Sequence, residues 1–243
     1  AERAFDGHEK SVNSLSFTAD EKRLVTASSD PCVKVWSFPE GKCLFSLDQQ
    51  SQAAIGPDGA HLVTLSRKGE LVLWDGERGT LRKTLAPLDK RHLALAFALN
   101  GLFLFVGGAG PIYRLSLPDG TVDGVHKGHQ IGIACLKASP NPAILASTGM
   151  DGTLRFWTVV SGDEVNCVPL KATGVLQLAF APDGRSLAVA TDGAVLHLSA
   201  PDGELIERYD VPLKGVYGVA ISPDGRYLAN AAADGRVRVW QLN

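Results

Sequence analysis

The sequence predicts an all-β chain of six repeated units, each a four-stranded sheet, and three observations carry that expectation. Short apolar runs end at Trp36, Trp74, Leu115, Trp157, Leu198 and Trp240. Their even spacing matches the period of a four-stranded propeller blade, roughly 40 residues. Turn dipeptides recur at matching places in the units, and no segment has helical periodicity. The predicted fold is therefore a closed β-propeller of six four-stranded blades.

The turns define the strands between them. Asp58-Gly59, Asn100-Gly101, Asp183-Gly184 and Asp224-Gly225 fall between the first and second strands of their units. Asp151-Gly152, Asp192-Gly193 and Asp234-Gly235 link the second strand to the third, and Glu40-Gly41, Asp119-Gly120 and Asp202-Gly203 the third to the fourth. Glycine, and to a lesser degree Asn and Asp, tolerates the positive φ that tight hairpins require. Runs such as Cys32-Val33-Lys34-Val35-Trp36 and Val237-Arg238-Val239-Trp240 alternate in the manner of half-buried strands. The units read as residues 7–47, 48–86, 87–127, 128–169, 170–210 and 211–243, all in one domain. Residues 1–5 read as a fourth strand completing the last unit, which would pair sheet edges that are otherwise open.

Composition narrows the function. The chain has 243 residues, 45% hydrophobic and 21% charged, with net charge −2. A chain of this size buries roughly 70–75% of its unfolded surface without a covalent staple. The near-neutral balance argues against a nucleic-acid binder, and no apolar run has the length of a membrane span. The four cysteines, Cys32, Cys43, Cys135 and Cys167, lack zinc-type spacing. Free thiols fit a reducing, cytoplasmic setting. The missing initiator methionine leaves export with leader removal as the alternative.

Gly7-His8, Leu24-Val25-Thr26-Ala27-Ser28-Ser29-Asp30 and Val33-Lys34-Val35-Trp36 together resemble a complete repeat of the WD-repeat (WD40-type) β-propeller family. Gly128-His129, Ser147, Asp151 and Trp157 form a second copy. The resemblance implies a buried hydrogen-bonded tetrad in each: His8, Thr26 (or Ser28), Asp30 and Trp36 in one, and His129, Ser147, Asp151 and Trp157 in the other. A buried carboxylate is tolerable only when donors satisfy it. The other units depart from the pattern. The sixth keeps Asp234 and Trp240 but has Pro212 at the histidine position, and the fifth keeps Asp192 and has Leu198 for tryptophan. The second keeps Thr64 and Trp74 with Lys68 at the aspartate position, and the third, with Ala109 and Leu115, keeps none of the set.

These residue types also make nucleophilic triads, but a nucleophile needs an exposed hydroxyl, an oriented base and an oxyanion site. The repeat accounts for the same residues twice as structure. His126 and His129 have an H-x-x-H spacing without a nearby third ligand. The glycine-rich stretch 106–110 lacks the lysine and helix of a phosphate loop. The expectation is no catalytic residue, no metal and no cofactor.

The resemblance implies that the face bearing the inter-blade loops and the loops between second and third strands is the usual partner site. Lys10, Arg67, Arg91, Gln130, Met150, Lys214 and Tyr217 fall there, with Lys68 and Lys90. The opposite rim carries Asp20, Glu40, Asp58, Asp75, Glu77, Asp119, Asp163, Asp183, Asp202 and Asp224. The expected function is a non-catalytic, monomeric scaffold that binds a protein or peptide, acidic in character, with neither nucleic acid nor membrane insertion. The alternatives are a propeller hydrolase or lactonase with a channel-mouth site, and a sensory domain of a larger signalling protein.

Overall fold

The computed structural model describes residues 4–66, 68–85, 94–98, 101–141, 143–170, 177–211 and 215–242. Among these residues the chain forms six antiparallel sheets and no α-helix. Sheets 1 to 5 (residues 12–48, 50–84, 94–126, 133–169 and 177–210) have four strands each, paired in chain order; sheet 6 (216–241) has three. This is the blade architecture of a β-propeller. No helix is long and apolar enough to cross a membrane.

Local chemistry explains three of the hairpins. Between first and second strands, Gly59, Gly184 and Gly225 adopt φ of 70°, 69° and 71°, where an L side chain is strained. The preceding aspartates fix the same turns: Asp58, Asp183 and Asp224 accept the N–H of Ala60, Arg185 and Arg226 at 3.0, 2.9 and 3.1 Å. Asn100, expected in the matching turn of sheet 3, lies outside the described residues. The rim carboxylates thus have a local, backbone-directed role. Bulges recur too. One falls beside the tryptophan in sheets 1, 2 and 4, at Val35/Trp36, Leu73/Trp74 and Phe156/Trp157, where it changes the side chain's direction.

The chain divides into two compact units, one mainly of sheets 1 and 2, the other mainly of sheets 4 to 6, with sheet 3 shared. In the first, Val25, Ala27, Val33 and Val35 of sheet 1 pack on Ile55 and Leu62 of sheet 2. In the second, Ala146, Leu154 and Phe156 of sheet 4 pack on Leu178 and Leu187 of sheet 5. Ala188, Ala190 and Val195 of sheet 5 in turn pack on Val216 and Leu228 of sheet 6. One face of each of these sheets therefore serves the next.

Residues 1–3, expected in a fourth strand of sheet 6, lie outside the described residues, and Ala4 and Phe5 are not in a strand. Phe5 packs edge-on against Trp36 with ring centroids 5.9 Å apart. An edge-on contact recurs as His126 on Trp157 at 5.7 Å, and a tilted one as Tyr209 on Trp240 at 5.0 Å. All three rings stand at one common offset before their tryptophans. His126 closes the last strand of sheet 3 (Thr121–His126), and Tyr209 lies in the last strand of sheet 5 (Leu205–Asp210). Phe5 therefore holds the register of an outer-strand end.

Candidate functional site

The polar residues singled out by the repeat meet inside sheets 1 and 4. In sheet 4, Trp157 Nε1–H donates to Ser147 Oγ at 2.8 Å, and Ser147 Oγ lies 2.8 Å from His129 Nε2. His129 Nδ1 lies 3.0 Å from Asp151. An indole can only donate. Ser147 therefore turns its own proton to Nε2, and the Nδ1–H of a neutral imidazole points at the carboxylate. Asp151 also accepts from the N–H of Gln130 at 2.9 Å and of Thr153 at 3.1 Å. Sheet 1 repeats the chain of donors from Trp36 through Thr26 and His8 to Asp30, at 2.8, 2.8 and 2.9 Å. Thr26 is the hydroxyl in this chain, while Ser28 accepts the Asp30 N–H at 3.1 Å. The glycine before each histidine matters where the indole lies over it: a Cβ on Gly128 would come 2.7 Å from Trp157 Cη2.

Burial pushes the Asp151 carboxyl up, but the Gln130 N–H, Thr153 and His129 outweigh it and hold the pKa at about 2. Asp30 is likewise held at about 2, burial being outweighed by the Glu9 N–H, His8 and Ser28. Burial lowers the pKa of His129 against the pull of Asp151, so the pair at neutral pH is a charge-assisted hydrogen bond rather than an ion pair. The His129 side chain is 0% exposed. No nucleophile there is open to a substrate, and the arrangement ties a loop to its sheet.

Sheets 2 and 6 show what sequence reasoning misses. In sheet 2, Trp74 Nε1–H donates to Thr64, whose hydroxyl donates to Gln50 Oε1, both at 2.7 Å. Gln50 takes the place of the imidazole, but only 14 residues before the hydroxyl rather than 18. In sheet 6, Asn230 pairs with Arg238 as Ser147 pairs with Arg155 and so occupies the hydroxyl register. Its buried amide finds no partner among the described residues. Pro212, at the histidine position of that unit, lies outside them.

His126 does not join His129. Its ring lies between Phe105 and Trp157, with centroids 5.3 and 5.7 Å away, and neither nitrogen makes a hydrogen bond of good geometry. Burial, with Arg114 nearby, lowers its pKa against the pull of the Thr158 backbone. Among the described residues, no group of three or more His, Cys, Asp or Glu side chains converges.

These shifts set the acid response. Burial lowers the folded pKa of His126, His129 and His197 below 6.5. The unfolded chain then takes up protons first as pH falls, so this stability is whole above about 6.5 and is lost below it. Asp30 and Asp151 contribute stability above about 3.8 that is lost as pH falls towards about 2. His126→Phe, which copies Phe5 at the same register, removes a buried imidazole whose nitrogens make no hydrogen bond of good geometry. It is expected to raise stability by about 1–2 kcal/mol at pH 7.5 and to shrink the loss between pH 7.5 and 5.5. Urea unfolding midpoints at both pH values measure this; an unchanged acid loss would remove His126 from the account.

Of the expected partner-facing residues, Lys10, Gln130, Met150 and Tyr217 are exposed. Arg67, Arg91 and Lys214, with Lys90, lie outside the described residues.

The family described as WD domain, G-beta repeat matches residues 2–37, 120–158 and 203–241, which include the tryptophan and histidine of both full tetrads. Periodic tryptophan protein 2 of Arabidopsis thaliana is 28% identical over 208 residues, 82% of this chain and 23% of that protein. Apoptotic protease-activating factor 1 of Homo sapiens is 28% identical over 204 residues, 75% of this chain and 16% of its own length. Meiotic recombination protein rec14 of Schizosaccharomyces pombe is 26% identical over 166 residues, 65% of this chain and 55% of its own. The chain thus spans less than a quarter of the first two relatives and about half of the third.

Proposed function

The chain belongs to the WD-repeat family, and from that premise we propose that it is a non-catalytic platform recognising a protein or peptide partner through its inter-sheet loops. The observation that carries the reading is the fate of its reactive residue types. His8, Thr26 and Asp30, and His129, Ser147 and Asp151, are consumed in internal hydrogen bonds. The exposed loop residues Lys10, Gln130, Met150 and Tyr217 are of kinds that bind rather than react. The relatives' names support the same reading, since a protease-activating factor and a meiotic recombination protein share the repeat without sharing a reaction.

The basic residues at the expected partner face favour an acidic partner, with complementary charge speeding encounter. The test is affinity capture with the wild-type chain against a charge-reversed form carrying Lys10→Glu, Arg67→Glu and Arg91→Glu. A partner retained by the wild type should be depleted by about tenfold on the reversed form, and its binding should weaken with salt. No enrichment over the reversed form would overturn the reading.

A further inference from the structure

Two loops of the second unit frame a recess of about 450 Å³. The turn at Gly110 and Pro111 in sheet 3 makes one wall, and residues 127–130, on the link into sheet 4, make the other. We propose that this recess takes a peptide segment presenting an aliphatic side chain next to a carboxylate. The inference rests on the platform reading above and adds where the partner is read and by what chemistry.

The recess is held open before anything binds. His129 is fixed by Ser147 and Asp151, and the Gln130 N–H by Asp151 at 2.9 Å. The Met150 N–H donates to the Gly132 carbonyl at 2.8 Å, joining the two loops of sheet 4. A site whose backbone is already ordered loses less freedom on binding. The tetrad thereby gains a second consequence: it makes one loop of the platform rigid.

Pro111 lines the recess, and two exposed apolar residues stand beside the lining loop where turn chemistry alone would favour polar ones. Ile131 is next in sequence to the lining residue Gln130 and is 54% exposed, and Met150, whose N–H meets the Gly132 carbonyl, is 62% exposed. They give an aliphatic group of a ligand apolar surface to cover. Methionine in particular adapts its shape to a partner.

Charge selects the neighbouring group. Asp151 has both oxygens engaged by His129, Thr153 and the Gln130 N–H. Lys127 is exposed and forms no ion pair among the described residues. The charge left for a ligand is thus an ammonium, which a carboxylate complements.

Met150 is the single methionine of the chain, so a 13C-methyl-methionine label gives one NMR signal from the residue tied to the lining loop through Gly132. Three capped pentapeptides serve as probes: Ala-Asp-Leu-Ala-Ala, its Asn counterpart Ala-Asn-Leu-Ala-Ala, and Ala-Asp-Ala-Ala-Ala. The first should shift the Met150 signal saturably, and each of the other two should bind about tenfold more weakly. Gly110→Leu should abolish the shift by filling the recess. No atom lies within 4 Å of a Cβ at Gly110, and its φ is not in the left-handed region, so the fold tolerates the variant. Lys127→Glu should abolish the preference for Asp over Asn. Equal shifts with all three peptides, or none up to millimolar concentration, would overturn the proposal. A partner captured by the wild-type chain that binds Gly110→Leu and Lys127→Glu undiminished would overturn this recess while leaving the platform reading intact. Failure to capture any partner would count against that reading instead.

Discussion

Leu136→Ala is expected to lower the free energy of unfolding by about 2–5 kcal/mol. Leu136 is 2% exposed and pairs with Ser147, opposite the hydroxyl of the tetrad in sheet 4. The cost joins lost transfer free energy to the cavity that a close-packed interior leaves behind. It is read as a shift in urea midpoint between the variant and the wild type, so errors in extrapolation cancel. A cost below about 0.5 kcal/mol, the size expected of a surface change, would mean that Leu136 is not packed in solution.

Ser147→Ala should cost about 2–4 kcal/mol, because one missing oxygen strands two buried groups that each carry about 1–3 kcal/mol when unsatisfied. The Trp157 Nε1–H loses its acceptor and His129 Nε2 loses its donor. Ser147 is 0% exposed, so bulk water does not reach the gap. Ser147→Thr should restore most of the loss, since Thr26 and Thr64 perform the same task in sheets 1 and 2. An alanine variant as stable as the wild type would show that the buried chain of hydrogen bonds contributes little net stability. A threonine no better than alanine would show that the methyl group, not the hydroxyl, decides the outcome.

What the residues disclose in advance follows from fixed offsets. His8 and His129 stand 18 residues before their hydroxyls and 22 before their carboxylates, so a repeat search finds all members together. Where a loop shortens, the offset fails although the chemistry survives. Gln50 is invisible to such a search because it stands 14 residues before Thr64. Asn230 escapes for another reason: it sits at the right register but is not a hydroxyl. The spacing of His126 and His129 is that of a ligand pair. The strand end instead turns one ring between Phe105 and Trp157 and the other towards Asp151.

The residues alone determined the period, the strands and the turn chemistry, because each depends on neighbours within a few positions. The resemblance to the repeat implied the buried sets in sheets 1 and 4 but left Thr26 and Ser28 as alternatives, and the structure places Thr26 against Trp36 and His8. Tertiary structure decided burial. Val25 and Val35 are sealed because sheet 2 lies across from them, and a strand's pattern says which face is apolar, not what covers it. It likewise decided that Gly110 and Pro111 meet residues 127–130 around one recess, since loops from successive sheets meet in space without any fixed distance along the chain.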